Sequence, residues 1–216
     1  MPVRVRPRAP SMTLQARGLG LWRGERCLCR DLSFSLVPGR ILQFAGPNGS
    51  GKTSLMRAVA GLGRLDEGEL FWNGTPAFQS YEYRLNLLYL GHHNGLKSHL
   101  SATENYLFYQ SITEYSSGIG AKEALSVCGV TEPAGRPVAT LSMGQRRRTA
   151  LARLLGMKAK LWLLDEPLTS LDADGVGLVS RLLKSHVGAG GMAILATHQP
   201  LPEIEAERLE LGAGHE

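Results

Sequence analysis

Gly46-Pro47-Asn48-Gly49-Ser50-Gly51-Lys52-Thr53 is the stretch on which the fold of this chain turns. It follows an apolar run, Ile41-Leu42-Gln43-Phe44-Ala45, and leads through Ser54 into Leu55, Met56, Val59 and Ala60 at helical spacing. The pattern G-x-x-x-x-G-K-[ST] thus stands in the strand, loop, helix setting that gives it chemical meaning. Glycines let the backbone curl until successive N–H groups converge on one point. The helix that follows adds the positive end of its dipole there, and Ser54 lies in its first turn. Lys52 reaches the outer phosphates, and Thr53 offers a hydroxyl to Mg²⁺, an ion usually held by few protein groups and the phosphates themselves. The expected ligands are a nucleoside triphosphate and Mg²⁺.

The rest of the composition sets bounds. A length of 216 residues fits one large domain or a domain with a subdomain, and a hydrophobic fraction of 43% supplies a core. The net charge of +5 suits nucleic acid, an anionic membrane surface or a nucleotide equally, because the arginines are scattered. Three cysteines, Cys27, Cys29 and Cys128, form no disulfide framework and fit a reducing compartment. Cys27 and Cys29 share one strand face, either as core thiols or as a metal or haem site, although zinc ligands are usually spaced more widely. No apolar run approaches the roughly 18 residues that span a bilayer. Residues 1–12, rich in Arg and Pro, lack the apolar segment of a secretory signal. They read as a flexible extension, as sequence upstream of a start at Met12, or as part of an organellar presequence.

Outward from the loop, Thr13 to Val37 is strand-like, with turn signals at Gly18, Gly20 and Gly24, and Asp31–Val37 alternates polar and apolar. Gly68–Gly74 reads as a short strand closed by Asn73-Gly74. These early strands predict an antiparallel sheet beside the nucleotide. Helical signals dominate from Tyr81 to Met157. Ser101 and Glu104 form a capping box, a second helix covers Ala121 to Cys128, and Ser142 caps a long basic helix reaching Gly156. Two buried strands, Leu161–Leu164 and Ala193–Ala196, flank a helix from Ala173 to Val187, the rhythm of a parallel sheet.

Leu161-Trp162-Leu163-Leu164-Asp165-Glu166 ends an apolar strand in two adjacent carboxylates. In a parallel sheet such ends face the ligand crevice, and successive side chains diverge. Asp165 suits the Mg²⁺ site opposite Thr53, and Glu166 is placed to orient or deprotonate the attacking water.

Leu141-Ser142-Met143-Gly144-Gln145 resembles the signature motif of the ATP-binding-cassette family, in which a glycine usually stands where Met143 does. The motifs follow in the family's order along nearly the whole chain. The resemblance implies an α/β P-loop NTPase of this type, with a mixed core sheet, an antiparallel N-terminal sheet and an inserted helical subdomain. Residues 13–216 would form the nucleotide-binding domain, with the helical subdomain at about 85–157. It further implies a homodimer in which Ser142, Gly144 and Gln145 of one copy close on ATP held by the other. Ser142 and the Gly144 amide lie at a helix N-terminus, which suits an anion. Ser170-Leu171-Asp172 resembles the loop that communicates across that dimer. His198 resembles the switch histidine at the terminal phosphate, a catalytic role shared with Glu166 and Lys52. Trp22 stands where the family places an aromatic that stacks on adenine; core packing is its other reading. His92 stands where a Mg²⁺-touching Gln is usual, with His93 as the neighbouring alternative.

Leu90–Lys97 and Leu100–Asn105, with Gln145-Arg146-Arg147-Arg148, resemble the ATP-binding subunits of the cytochrome c maturation system more closely. This implies an ATPase at the cytoplasmic face of the inner membrane, held peripherally by an integral membrane subunit and working with haem-handling membrane proteins. An importer or exporter for another cargo is the alternative. No nucleic-acid partner is expected, since no long coiled coil separates Lys52 from Leu141 and there is no second cassette. Replacing His92→Gln is expected to leave ATP affinity within about 2-fold of wild type by calorimetry, as befits a peripheral switch position. Loss of binding would assign His92 to the nucleotide cradle itself.

Overall fold

The structure, a computed structural model, describes residues 12–132, 134–199, 201 and 203–212. The expected extension at residues 1–12 lies outside them except for Met12. Strand β1 (Leu14–Arg23) turns at Gly24 into β2 (Arg26–Leu36), and β1 pairs on its other side with β4 (Glu67–Trp72), which pairs with β5 (Thr75–Pro76). All of these pairings are antiparallel. Asn73 and Gly74 both take positive φ, 52° and 80°, as a two-residue hairpin turn requires. Gly18 and Gly20 are not turns, as the sequence suggested. The chain runs through both as strand, with register shifts either side of Leu19. The glycines serve the irregular strand instead: Gly18 takes a φ of 57°, and a Cβ on Gly20 would lie 2.5 Å from Trp22 Cζ3 and 2.9 Å from Glu67 Cβ.

The second sheet has the order β6 (Leu87–Leu90), β7 (Leu161–Asp165), β8 (Met192–Ala196), β3 (Ile41–Ala45), β9 (Glu207–Glu210), and every pairing in it is parallel. The expected antiparallel N-terminal sheet is present, whereas the core sheet, expected to be mixed, is parallel in every pairing among the described residues. All five residues of β7 and of β8 are buried, so these strands are apolar throughout rather than alternating. The pleat sorts them: Leu161, Leu163, Met192 and Ile194 join the core under the antiparallel sheet. Trp162, Leu164, Ala193 and Leu195 join the core under the helices on the other face.

Helix α1 (Lys52–Val59) follows the phosphate loop, and α2 (Tyr81–Asn86) leads directly into β6. Periodicity alone had blended β6 into a helical region, because four apolar residues in a row fit a buried helix or a buried strand equally well. Helices α3 (Ala102–Ser111), α4 (Ala121–Val127) and α5 (Met143–Gly156) pack on one another around Ala124, Leu125 and Leu151. Both α3 and α5 open with complete capping boxes, Ser101 with Glu104 and Ser142 with Gln145. Buried Asn105 then ties the preceding loop down, accepting from the Lys97 N–H (2.8 Å) and donating to the Lys97, Leu100 and Ser101 carbonyls. Helix α6 (Ala173–Gly188) returns the chain to β8.

Near the end of α6, His186 stacks on Trp162 with ring centroids 3.8 Å apart and planes 6° from parallel. Its Nε2 lies 3.1 Å from the Met192 carbonyl oxygen. Burial pushes this imidazole down to about 4. The native state therefore holds fewer protons than the unfolded chain between that value and the ordinary histidine range. Stability contributed by neutral His186 is full above pH 6.5 and is lost as pH falls toward 4, by on the order of 2–3 kcal/mol. Denaturant unfolding at pH 7.5 and pH 5 should show this loss in wild type and a smaller one in His186→Phe.

Candidate functional site

The phosphate loop leaves β3 at Ala45 and its backbone is set by glycine. Gly46, Gly49 and Gly51 take φ of 138°, 80° and 98°, and Gly51 caps α1 in a left-handed conformation. Space forbids a side chain at two of these positions. A Cβ on Gly46 would meet the Leu211 carbonyl oxygen at 2.4 Å, and one on Gly51 would meet Leu28 Cβ at 2.9 Å. Lys52 is buried and its ammonium folds back to donate to the Gly46 and Pro47 carbonyls at 2.8 and 2.9 Å. Ser50 is buried, and its hydroxyl lies against the Gly46 backbone.

Across the loop, the Thr53 hydroxyl donates to Asp165 Oδ1 at 3.1 Å. Asp165 is fully buried at the end of β7, and its other oxygen, Oδ2, has no hydrogen-bond partner. Burial pushes its carboxyl up, opposed by the Thr53 hydroxyl and then by nearby His92. His92 therefore stands beside Asp165. The Tyr89 hydroxyl is close by, pushed up to about 12 by burial and then by Asp165.

Glu166 turns away from Asp165 with φ of 47°, and its N–H donates to the Ala196 carbonyl oxygen on β8 at 2.7 Å. Its Oε1 lies 3.2 Å from His198 Nδ1, which brings together the carboxylate and histidine that the sequence singled out from distant positions. Asn48, Gly49, Gly51, Lys52, Thr53 and Ser54 line one cleft of about 650 Å³ with His92, His93, Glu166 and His198. Trp22, half-buried, opens onto an adjoining cleft of about 410 Å³ that shares Thr53, Ser54 and Arg57 with the first.

Ser142, Gly144 and Gln145 do not line this cleft. They open α5, where the Ser142 hydroxyl accepts from the Gln145 N–H at 3.2 Å and Gln145 Oε1 accepts from the Ser142 N–H at 2.9 Å. Gly144 sits so close to the loop after Glu166 that a Cβ would lie 3.0 Å from the Ser170 carbonyl oxygen. Asp172 in that loop caps α6 through the Gly175 N–H and pairs with Arg148 at 2.6 Å. Among the described residues no cluster of three or more His, Cys, Asp or Glu forms a metal site, and Cys27 and Cys29 are free thiols on β2.

Three site residues escaped the sequence reading. Arg23 and Arg26, at the tip of the β1–β2 hairpin, line the main cleft and add positive charge to it. Nothing but the fold could show that the hairpin overhangs the loop. Arg147, read only as part of a basic run, is buried and donates to five acceptors between Gly91 and Pro167.

The family model described as ABC transporter matches residues 29–169. This chain belongs to the ABC transporter family. The curated relatives include the cytochrome c biogenesis ATP-binding export protein CcmA of Yersinia pseudotuberculosis, 46% identical over 192 residues, covering 88% of each chain. CcmA of Salmonella typhi is 45% identical over 190 residues, covering 88% of this chain and 91% of its own. Among solved structures, an ABC transporter ATP-binding protein of Pyrococcus furiosus superposes with a TM-score of 0.79 at 21% identity, over 92% of this chain and 96% of that one. At that identity the likeness speaks for the fold. An ABC-type ATPase needs a phosphate cradle, and here its tightest point is testable: Gly46→Ala should destabilise the chain by about 2–3 kcal/mol in denaturant unfolding. An unchanged midpoint would mean that the loop accommodates a side chain there.

Proposed function

We propose that this chain is the ATP-hydrolysing subunit of a membrane complex for cytochrome c maturation, powering haem export or release from a haem-handling partner. The observation that carries the enzymatic part is the meeting of Lys52, Thr53, Glu166 and His198 at one cleft, with buried Asp165 bonded to Thr53. The curated relatives, at 45–46% identity over nearly their whole lengths, carry the pathway.

In this reading ATP lies with its adenine on Trp22 and its phosphates in the N–H cradle of Gly46 to Thr53. Lys52 leaves the Gly46 and Pro47 carbonyls for the outer phosphates, an exchange of neutral acceptors for charged ones. The residues fit Mg²⁺. The partnerless, buried Asp165 Oδ2 beside the Thr53 hydroxyl is an arrangement that a hard cation relieves, with His92 at the margin. Bound there, the ion would shield the charge of the phosphates. Glu166 holds and deprotonates the water that attacks the terminal phosphate, and His198, hydrogen-bonded to it, fixes the carboxylate and contacts the phosphate.

Because Ser142, Gly144 and Gln145 face elsewhere, a second copy brings its own signature end to this ATP, and the two copies enclose two nucleotides. Residues 13–216 act as one nucleotide-binding domain, with helices α3 to α5 as the subdomain that receives an integral membrane subunit. The chain is held peripherally at the cytoplasmic face of the inner membrane. None of the helices among the described residues is long and apolar enough to cross a bilayer, in keeping with a separate membrane subunit. No nucleic-acid partner is invoked.

Glu166→Gln is expected to bind ATP with near-native affinity, to lose at least ~100-fold in turnover, and to run as a dimer with ATP present. Steady-state hydrolysis at the native rate would remove Glu166 from this role. A dimer that never forms with bound ATP would remove the composite site.

A further inference from the structure

We propose that Arg147 is a positioning residue for hydrolysis, holding the backbone of Glu166 in the conformation that aims its carboxylate into the cleft. The inference rests on the reading of Glu166 as the water-activating group. Its starting point is the left-handed backbone of Glu166, φ 47°, which a residue with a side chain adopts only where its surroundings enforce it. One enforcing contact is the Glu166 N–H to Ala196, fixed by the sheet. The other is at the Glu166 carbonyl oxygen, which accepts from Arg147 Nη2 at 2.8 Å and, more weakly, from the Thr169 N–H at 3.3 Å.

The same guanidinium holds the carbonyls on either side. Nη2 also donates to the Asp165 carbonyl oxygen at 3.1 Å, and Nε donates to that of Pro167 at 3.1 Å. Successive carbonyls from Asp165 to Pro167 thus point at one cation, the reverse of the phosphate loop, where successive N–H groups point at one anion. Nη1 donates to the Gly91 carbonyl oxygen at 3.1 Å and to Asn94 Oδ1 at 2.9 Å, fixing the loop that carries His92.

An arginine has five N–H donors in a planar fork, and every one is used here. At 3% exposure the charge is kept from water, and carbonyl dipoles take the place of the solvent. A lysine has three donors, on a single nitrogen with no planar fork, and cannot span carbonyls on two segments. Since Arg147 rides on α5, the helix opened by Ser142 and Gly144, the position of that helix is passed to Glu166 through a single side chain.

The test compares wild type, Arg147→Lys, Arg147→Gln and Glu166→Gln, each as full chain in the preparation in which wild type hydrolyses ATP. Thermal midpoint, ATP affinity, kcat, and the identity of the nucleotide retained after gel filtration are measured. Arg147→Lys is expected to bind ATP within about 2-fold of wild type, to lose at least ~10-fold in kcat, and to retain ATP rather than ADP. Arg147→Gln should lose at least as much. Turnover within about 2-fold of wild type in Arg147→Lys overturns the inference. So does a loss of affinity and midpoint in parallel with rate, which marks a merely structural arginine. Native turnover in Glu166→Gln overturns the reading of Glu166 instead, whatever the Arg147 variants do.

Discussion

The parallel register of β6, β7, β8 and β3 is the constraint on which the site depends. Parallel strands bring their C-terminal ends to the same edge, so the chain must leave Leu90, Asp165, Ala196 and Ala45 side by side. From those four ends start the loop with His92, the Glu166 to Asp172 segment, the turn with His198, and the phosphate loop. No residue among them is near another in sequence, yet the ladder places them around one cleft. The burial of β7 and β8 on both faces makes this register costly to change. A one-residue slip would drive Asp165 into the apolar core and exchange the residues that serve its two halves.

The charges at that edge are set against one another rather than cancelled. Asp165 is fully buried with one oxygen unpaired, and Lys52 spends its ammonium on backbone carbonyls. Both arrangements are poorer than those a nucleotide with its cation would provide. Arg23 and Arg26 at the rim extend positive potential over the same opening. Such a site gains from ligand binding twice, because the ligand satisfies its own charges and also the protein's.

How much of this the sequence disclosed follows from whether the signal was local. The phosphate loop, the Ser101–Glu104 capping box, the Ser142 cap and the buried strand before Asp165 depend on neighbours within a few residues, and each was legible. Strand β6 was not, since Leu87-Leu88-Tyr89-Leu90 has no period that separates strand from helix. Gly18 and Gly20 were read as turns because a glycine needed inside an irregular strand, for its own φ or for space against neighbouring side chains, looks the same as one in a turn. Arg147 carries no local mark at all. Flanked by Arg146 and Arg148 it resembles a solvated basic face, and only the fold shows that the middle arginine points inward.

The signature end of α5 bears on the proposed pairing of two copies. Ser142 and Gln145 satisfy each other in a capping box, and Gly144 presses on the Ser170 carbonyl, so this end is rigid before any anion arrives. It is also tied to its own catalytic segment, through Arg148 to Asp172 and through Arg147 to the carbonyls around Glu166. Yet it does not line the cleft that those residues serve. In the proposed dimer this helix end, coupled to one active site but turned away from it, would serve a nucleotide held by the other copy. Met143, 68% exposed at that end, is where such a copy would be met. On that reading, closing on a neighbour's ATP would move α5, whose Arg147 holds the carbonyls from Asp165 to Pro167.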